Sequence, residues 1–122
     1  MATLLIVDDD ILVRDTLHAF LSLSHECHTA DRAEQALAYL DIETYDVVLT
    51  DLSMPGLSGR QLAEQICLKC PSMNVVFMTG YTDDVVVQHK LLQSGSHLLR
   101  KPFTRADLAR TVRAAIDKGQ IH

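Results

Sequence analysis

Apolar residues along this chain fall in two alternating rhythms. Short runs rich in Val, Ile and Leu give way to longer segments with apolar positions at helical spacing, and turn residues separate them. That alternation predicts parallel strands joined by helices, forming a sheet covered on both faces. The first run, Thr3 to Val7, is almost wholly apolar and ends on Asp8, Asp9 and Asp10, so it reads as a central strand. Leu12, Leu17, Phe20, Leu21 and Leu23 then predict a helix from Ile11 to Leu23, and one of the preceding acids can cap its free amides.

Glu26 to Ala30 is a more polar strand, suited to a position near the sheet edge, and Ala33, Ala36, Leu37 and Leu40 mark a second helix. Asp46 to Thr50 is a third strand, which again delivers an acid, Asp51, at its C-terminal end. Pro55 and Gly56 force a loop, and Ser58 with Gln61 forms a capping-box start for a third helix running to about Cys67. Strand four is Asn74 to Met78, followed by Thr79, Gly80 and Tyr81, and a fourth helix spans Asp83 to about Leu92. A short fifth strand, His97 to Arg100, leads into Lys101 and Pro102. The last helix starts at Thr104 with Leu108, Val112 and Ala115 on its inner face, and Lys118 to His122 reads as a frayed end.

At 122 residues and 48% hydrophobic content, the chain has enough apolar material for one core without staples, so residues 1–122 are expected to form a single domain with no output domain. The net charge of -5 and the lack of a basic run argue against direct binding to nucleic acid. The apolar stretch near the N-terminus is too short for a signal peptide or a membrane span, which predicts a cytoplasmic protein without membrane insertion. Cys67 and Cys70 form a C-x-x-C, but zinc would need two more ligands, and a thioredoxin-type pair opens a helix whereas this pair closes one before Pro71. They read as small side chains at a helix end. All six, His18, His25, His28, His89, His97 and His122, lack a metal-helix spacing and read as surface or packing residues; only His97, beside Leu98, is placed to tune contact with a partner.

The remaining polar residues share a place. In an open parallel sheet, ligands bind beyond the C-terminal ends of the strands. Asp8 and Asp9 end strand one, Asp51 strand three, Thr79 strand four and Lys101 strand five. If strands one and three are neighbours, three carboxylates share a small volume, and two unit charges about 4 Å apart repel by roughly 4 kcal/mol at an effective dielectric of about 20. Such a cluster needs a cation. Lys101 offsets one charge, and an oxygen-only donor set with room for water is what Mg2+ prefers. Taken singly, each acid could instead be a helix cap or a turn former. Together they suit phosphoryl transfer to a carboxylate, with Asp51 attacking phosphorus in line.

These residues, in the segments IVDDD, DVVLTDLSMPGLSG, VVFMTGY and LLRKPF, resemble the receiver domain family of bacterial response regulators over essentially the whole chain. The wording FMTGYTDD and RKPFTRADLARTVR looks most like receivers attached to hybrid sensor histidine kinases. The resemblance implies a flavodoxin-like (βα)5 fold with strand order 2-1-3-4-5. It implies that Asp51 is the phosphoacceptor, that Asp9, Asp51 and the Ser53 carbonyl bind Mg2+ directly, and that Asp8 acts through a metal-bound water. Thr79 and Lys101 would reorient toward the phosphate, the Lys101-Pro102 peptide would be cis, and Gly80 would leave the phosphoryl group room. The implied donor is a histidine kinase or phosphotransfer domain, and the implied assemblies are a phosphorylation-dependent homodimer or attachment to a hybrid kinase.

One departure concerns output. The family usually places Phe or Tyr three residues before its lysine, where this chain has Leu98, and the segment from Gly95 to Lys101 is one residue shorter than in many stand-alone regulators. The chemistry should survive, because Leu98 carries no ligand atom; Leu98, Tyr81 and His97 are the candidate output residues. A regulatory phosphoacceptor has two rivals. A haloacid-dehalogenase-like phosphohydrolase needs a second acid two residues after its nucleophile, and Ser53 stands there. A docking scaffold that takes no phosphate would not need the full set of site residues.

Overall fold

The computed structural model describes residues 2–52, 59–69, 73–80 and 97–120. Strands β1 (Thr3–Val7), β2 (Glu26–Ala30), β3 (Val47–Asp51), β4 (Asn74–Thr79) and β5 (His97–Arg100) alternate with helices α1 (Ile11–Leu21), α2 (Ala33–Ile42), α3 (Gly59–Lys69) and α4 (Arg105–Gln120). All strand pairs are parallel and the order is β2-β1-β3-β4-β5. This is the doubly wound, flavodoxin-like α/β fold.

The two-residue period of the central strands divides their side chains between two cores. Leu4, Ile6, Val47, Leu49, Val76 and Met78 point to one face, where α1 contributes Leu17 and Leu21 and α4 contributes Leu108, Val112, Ala115 and Ile116. Leu5, Val7 and Val48 point to the other, against Ala33, Ala36 and Leu40 of α2 and Leu62 and Ile66 of α3. The two buried alanines let α2 approach the sheet closely. Buried on both sides, β1 is apolar from Leu4 to Val7 and β3 from Val47 to Leu49, whereas the edge strand β2 is only partly covered. At that edge, His28 Nδ1 lies 2.7 Å from the Tyr45 hydroxyl and 2.9 Å from Glu43 Oε2, tying β2 to the segment entering β3.

Several boundaries differ from the sequence expectation for local reasons. Helix α1 stops at Leu21 rather than Leu23, because the next amides turn back to His18, Phe20 and Leu21 carbonyls. Leu12, in the first turn, and Leu23, beyond the last, are exposed at 75% and 81% and do not belong to the buried face. Strand β3 begins at Val47, since Asp46 instead straps Thr3: its carboxylate accepts the Thr3 amide at 2.8 Å and its amide donates to the Thr3 carbonyl at 2.8 Å. Strands β3 and β4 each run one residue further, through Asp51 and Thr79. Helix α3 extends to Lys69, whose ammonium reaches Asp41 of α2 at 2.6 Å. Helix α4 continues to Gln120, so Lys118 to Gln120 are helical rather than frayed. The expected fourth helix, the Ser58 cap, and Cys70, Ser53, Tyr81, His89 and His122 lie outside the described residues. No helix among the described residues is long and apolar enough to cross a membrane.

Candidate functional site

The turn after β1 carries Asp8 and Asp9, β3 closes on Asp51, β4 closes on Thr79, and Lys101 follows β5. Because β1 pairs with β3, β3 with β4 and β4 with β5, all five residues meet at one edge of the sheet. Asp8, Asp9 and Asp51 each offer a carboxylate oxygen within 4.8 Å of the others. Their environments differ: Asp8 is fully buried, Asp51 half-buried and Asp9 exposed.

Lys101 Nζ lies 3.2 Å from Asp8 Oδ2 and 3.4 Å from Asp51 Oδ2, bridging the two less accessible acids. Burial by itself would lower its pKa, but the charges of Asp51 and Asp8 and their hydrogen bonds outweigh burial and raise it above the ordinary lysine value. The ammonium therefore stays charged throughout the physiological range. Its amide donates to the Thr79 carbonyl at 2.7 Å, so the lysine backbone is fastened to the end of β4. The Lys101-Pro102 peptide is cis, as the resemblance implies. Thr79 is almost wholly buried, and Gly80 follows it at the end of β4.

This donor set fits a small hard cation. It is all oxygen, its carboxylates outnumber the lysine that bridges two of them, and their oxygens lie within 4.8 Å of one another, close enough to gather around an ion that binds oxygen at about 2.1 Å.

The outcome for the expected site residues is uneven. Asp8, Asp9, Asp51, Thr79 and Lys101 come together; Ser53 and Tyr81 fall outside the described residues. Leu98 and His97 pair with Phe77 and Val76, further down the sheet from the Thr79–Arg100 row, and so stand apart from the acids. Sequence reasoning missed Arg14, whose Nη1 donates to the Asp8 carbonyl at 2.8 Å. Its only sequence signal is a basic residue in the first turns of a helix that follows an acidic turn. An open, largely apolar groove of about 930 Å³ borders Lys101, between α1 and the start of α4, with Leu12, Phe20, Phe103 and Leu108 along it.

The response regulator receiver domain model matches residues 4–113. The chain belongs to that family. Receivers are regulatory phosphoacceptor modules of two-component phosphorelays rather than enzymes in the usual sense, and the Asp8, Asp9, Asp51 and Lys101 cluster is the receiver active-site cluster. This receiver is 36% identical over 103 residues to the response regulator protein FleR of Pseudomonas aeruginosa, covering 84% of the chain and 22% of FleR. It is 33% identical over 116 residues to the DNA-binding transcriptional regulator NtrC of Salmonella typhimurium, covering 94% of the chain and 25% of NtrC. The receiver thus spans about a quarter of the length of these curated relatives. Among solved structures, a response regulator receiver domain protein from Clostridium thermocellum superposes with a TM-score of 0.91 at 29% identity, covering 98% of each chain.

Proposed function

We propose that this receiver accepts a phosphoryl group on Asp51 from the phosphohistidine of a histidine kinase or phosphotransfer domain, in a Mg2+-dependent reaction that changes its conformation. The observation that carries this reading is the convergence of Asp8, Asp9 and Asp51 around one lysine at the C-terminal edge of the sheet. Asp9, Asp51 and the Ser53 carbonyl would hold the cation, with Asp8 acting through water. Bound there, Mg2+ neutralises charge on the non-bridging phosphoryl oxygens. An Asp51 carboxylate oxygen attacks phosphorus as the P–N bond to the donor breaks, and the imidazole leaves with the bonding pair and takes up a proton. Lys101 stays protonated and pairs with one phosphoryl oxygen, while the Thr79 hydroxyl donates to another. Positioning and charge compensation supply most of the acceleration in such transfers.

The donor would dock against the apolar groove that borders Lys101, the residue that bridges Asp8 and Asp51. Output would pass from Thr79 toward Tyr81, His97 and Leu98, where an aliphatic side chain replaces the usual aromatic one. The motif wording supports attachment to a hybrid sensor kinase, and the likeness to NtrC supports a receiver joined to a transcriptional regulator. The full-length sequence context decides between them. We further propose that residues 1–122 act as one cytoplasmic receiver unit.

Incubation with acetyl phosphate, with and without Mg2+, followed by intact-mass measurement, tests the reading. A single added phosphoryl group that requires Mg2+ is expected. No addition under either condition would favour a phosphate-independent scaffold.

A further inference from the structure

The turn that carries two of the three acids is held by several hydrogen bonds, four of which bear on its shape. The Asp8 amide donates to the Ala30 carbonyl at 3.2 Å, the Asp10 amide to Asp8 Oδ1 at 2.9 Å, the Leu12 amide to Asp10 Oδ1 at 2.9 Å, and Arg14 Nη1 to the Asp8 carbonyl at 2.8 Å. The fourth contact differs in kind. It is the one of these made to the Asp8 carbonyl, and it comes from a half-buried guanidinium on α1 rather than from a backbone amide.

The carbonyl it grips belongs to the peptide joining Asp8 to Asp9. The plane of that peptide sets the direction in which the Asp9 side chain leaves the backbone. Asp9 is exposed, and its carboxylate makes no hydrogen bond or ion pair among the described residues. Asp8, in contrast, is held directly by Lys101 and by the Asp10 amide. The orientation of Asp9 therefore rests on its backbone, and Arg14 is the side chain that holds it.

We propose that Arg14 is a positioning residue for this centre, fixing the Asp8–Asp9 peptide and through it aiming the Asp9 carboxylate at the cation. The inference rests on reading the three acids as a Mg2+ site. Charge and positioning predict opposite signs for the loss of Arg14. As a mere charge beside three carboxylates, Arg14 competes with the cation, and removing it tightens Mg2+ binding. As a positioning residue, its removal weakens binding, on the order of tenfold for a partner that orients a ligand.

Calorimetric Mg2+ titration and amide NMR of the parent, Arg14→Met and Arg14→Lys distinguish the two. The expected results are displaced Asp9 and Asp10 amide signals in metal-free Arg14→Met, Mg2+ binding weakened about tenfold, and partial recovery of both in Arg14→Lys. Asp41→Asn, which breaks the ion pair with Lys69 near the C-terminal ends of α2 and α3, should leave both readouts in place. Tighter or unchanged Mg2+ binding in Arg14→Met would overturn the proposal, as would unmoved Asp9 and Asp10 amides. If Arg14→Met does not fold, Arg14→Lys carries the test, because its single ammonium cannot reproduce the guanidinium contact in full; parent-like amides and affinity there overturn it. If the parent itself takes up no Mg2+, the metal reading falls, and the metal-free amide signals alone decide for or against Arg14.

Discussion

Asp8 is fully buried, and its carboxylate has one cationic side chain within hydrogen-bond reach among the described residues, Lys101. Removing one partner of a wholly buried pair costs about 3–5 kcal/mol; with Lys101 partly exposed, we expect Lys101→Ala to lose about 2 kcal/mol in metal-free protein. The opposite sign is expected at Asp9. In chelator, Asp9→Asn relieves repulsion among the three carboxylates and should raise Tm by roughly 3–6 °C, the shift that about 1 kcal/mol produces near this length. The same variant should lose most of the stabilisation that Mg2+ gives the parent. Thermal melts with and without Mg2+ read both effects, and a lowered Tm for Asp9→Asn in chelator would contradict them. At this scale the acids and Lys101 are legible in the sequence because strand ends deliver them. Arg14 is not, because its contact depends on a turn path and a side-chain conformation that no spacing rule specifies.

Among the elements, α4 has the best-defined start. The Thr104 hydroxyl accepts the Asp107 amide at 3.0 Å, and the Asp107 carboxylate accepts the Thr104 amide at 3.2 Å. This is a reciprocal cap built with Asp in place of the more usual Glu or Gln. Hydrogen bonds to the carboxyl from the Thr104 amide and the Thr104 hydroxyl, with Arg110 nearby, hold Asp107 below its ordinary pKa. Thr104→Ala should destabilise the protein by about 1 kcal/mol in denaturant melts, the usual loss for an N-cap; an unchanged midpoint would show that the cap contributes nothing. Strand and helix identities were readable wherever burial imposed a clean period, as in β1, β3 and α4. The outer face and the end of α1 were not: Leu12 and Leu23 satisfy helical spacing, yet they face the groove rather than the sheet, and Leu23 lies beyond the helix. Periodicity alone cannot say which of two apolar stripes is buried.

For the molecule as a whole, the doubly wound sheet brings residues 8, 51, 79 and 101 to one edge, and the strand order does this more than any local feature. The alternation of strands and helices pointed to that architecture, while the order itself came from resemblance, because no local pattern records which strands become neighbours. Global stability also carries a pH term from outside the site. Burial, and then nearby positive charge including Arg113, lowers the pKa of His25, whose Nδ1 accepts the Ala2 amide at 3.2 Å. The unfolded chain thus binds this proton more readily than the folded one. The resulting stability is present above an unfolded pKa of about 6.5 and is lost as pH falls through the lower folded value. Melts between about pH 7 and about pH 5 should show a steeper decline for the parent than for His25→Gln, and parallel curves would contradict the assignment.

The central claim is that Asp51, rather than Asp8 or Asp9, receives the phosphoryl group. Borohydride reduction after treatment with acetyl phosphate and Mg2+ converts an acyl phosphate to the corresponding alcohol, which peptide mass mapping locates. Homoserine at position 51, absent when Asp51→Asn is treated in the same way, is the predicted result. Reduction at position 8 or 9, or labelling that persists in Asp51→Asn, would contradict the account.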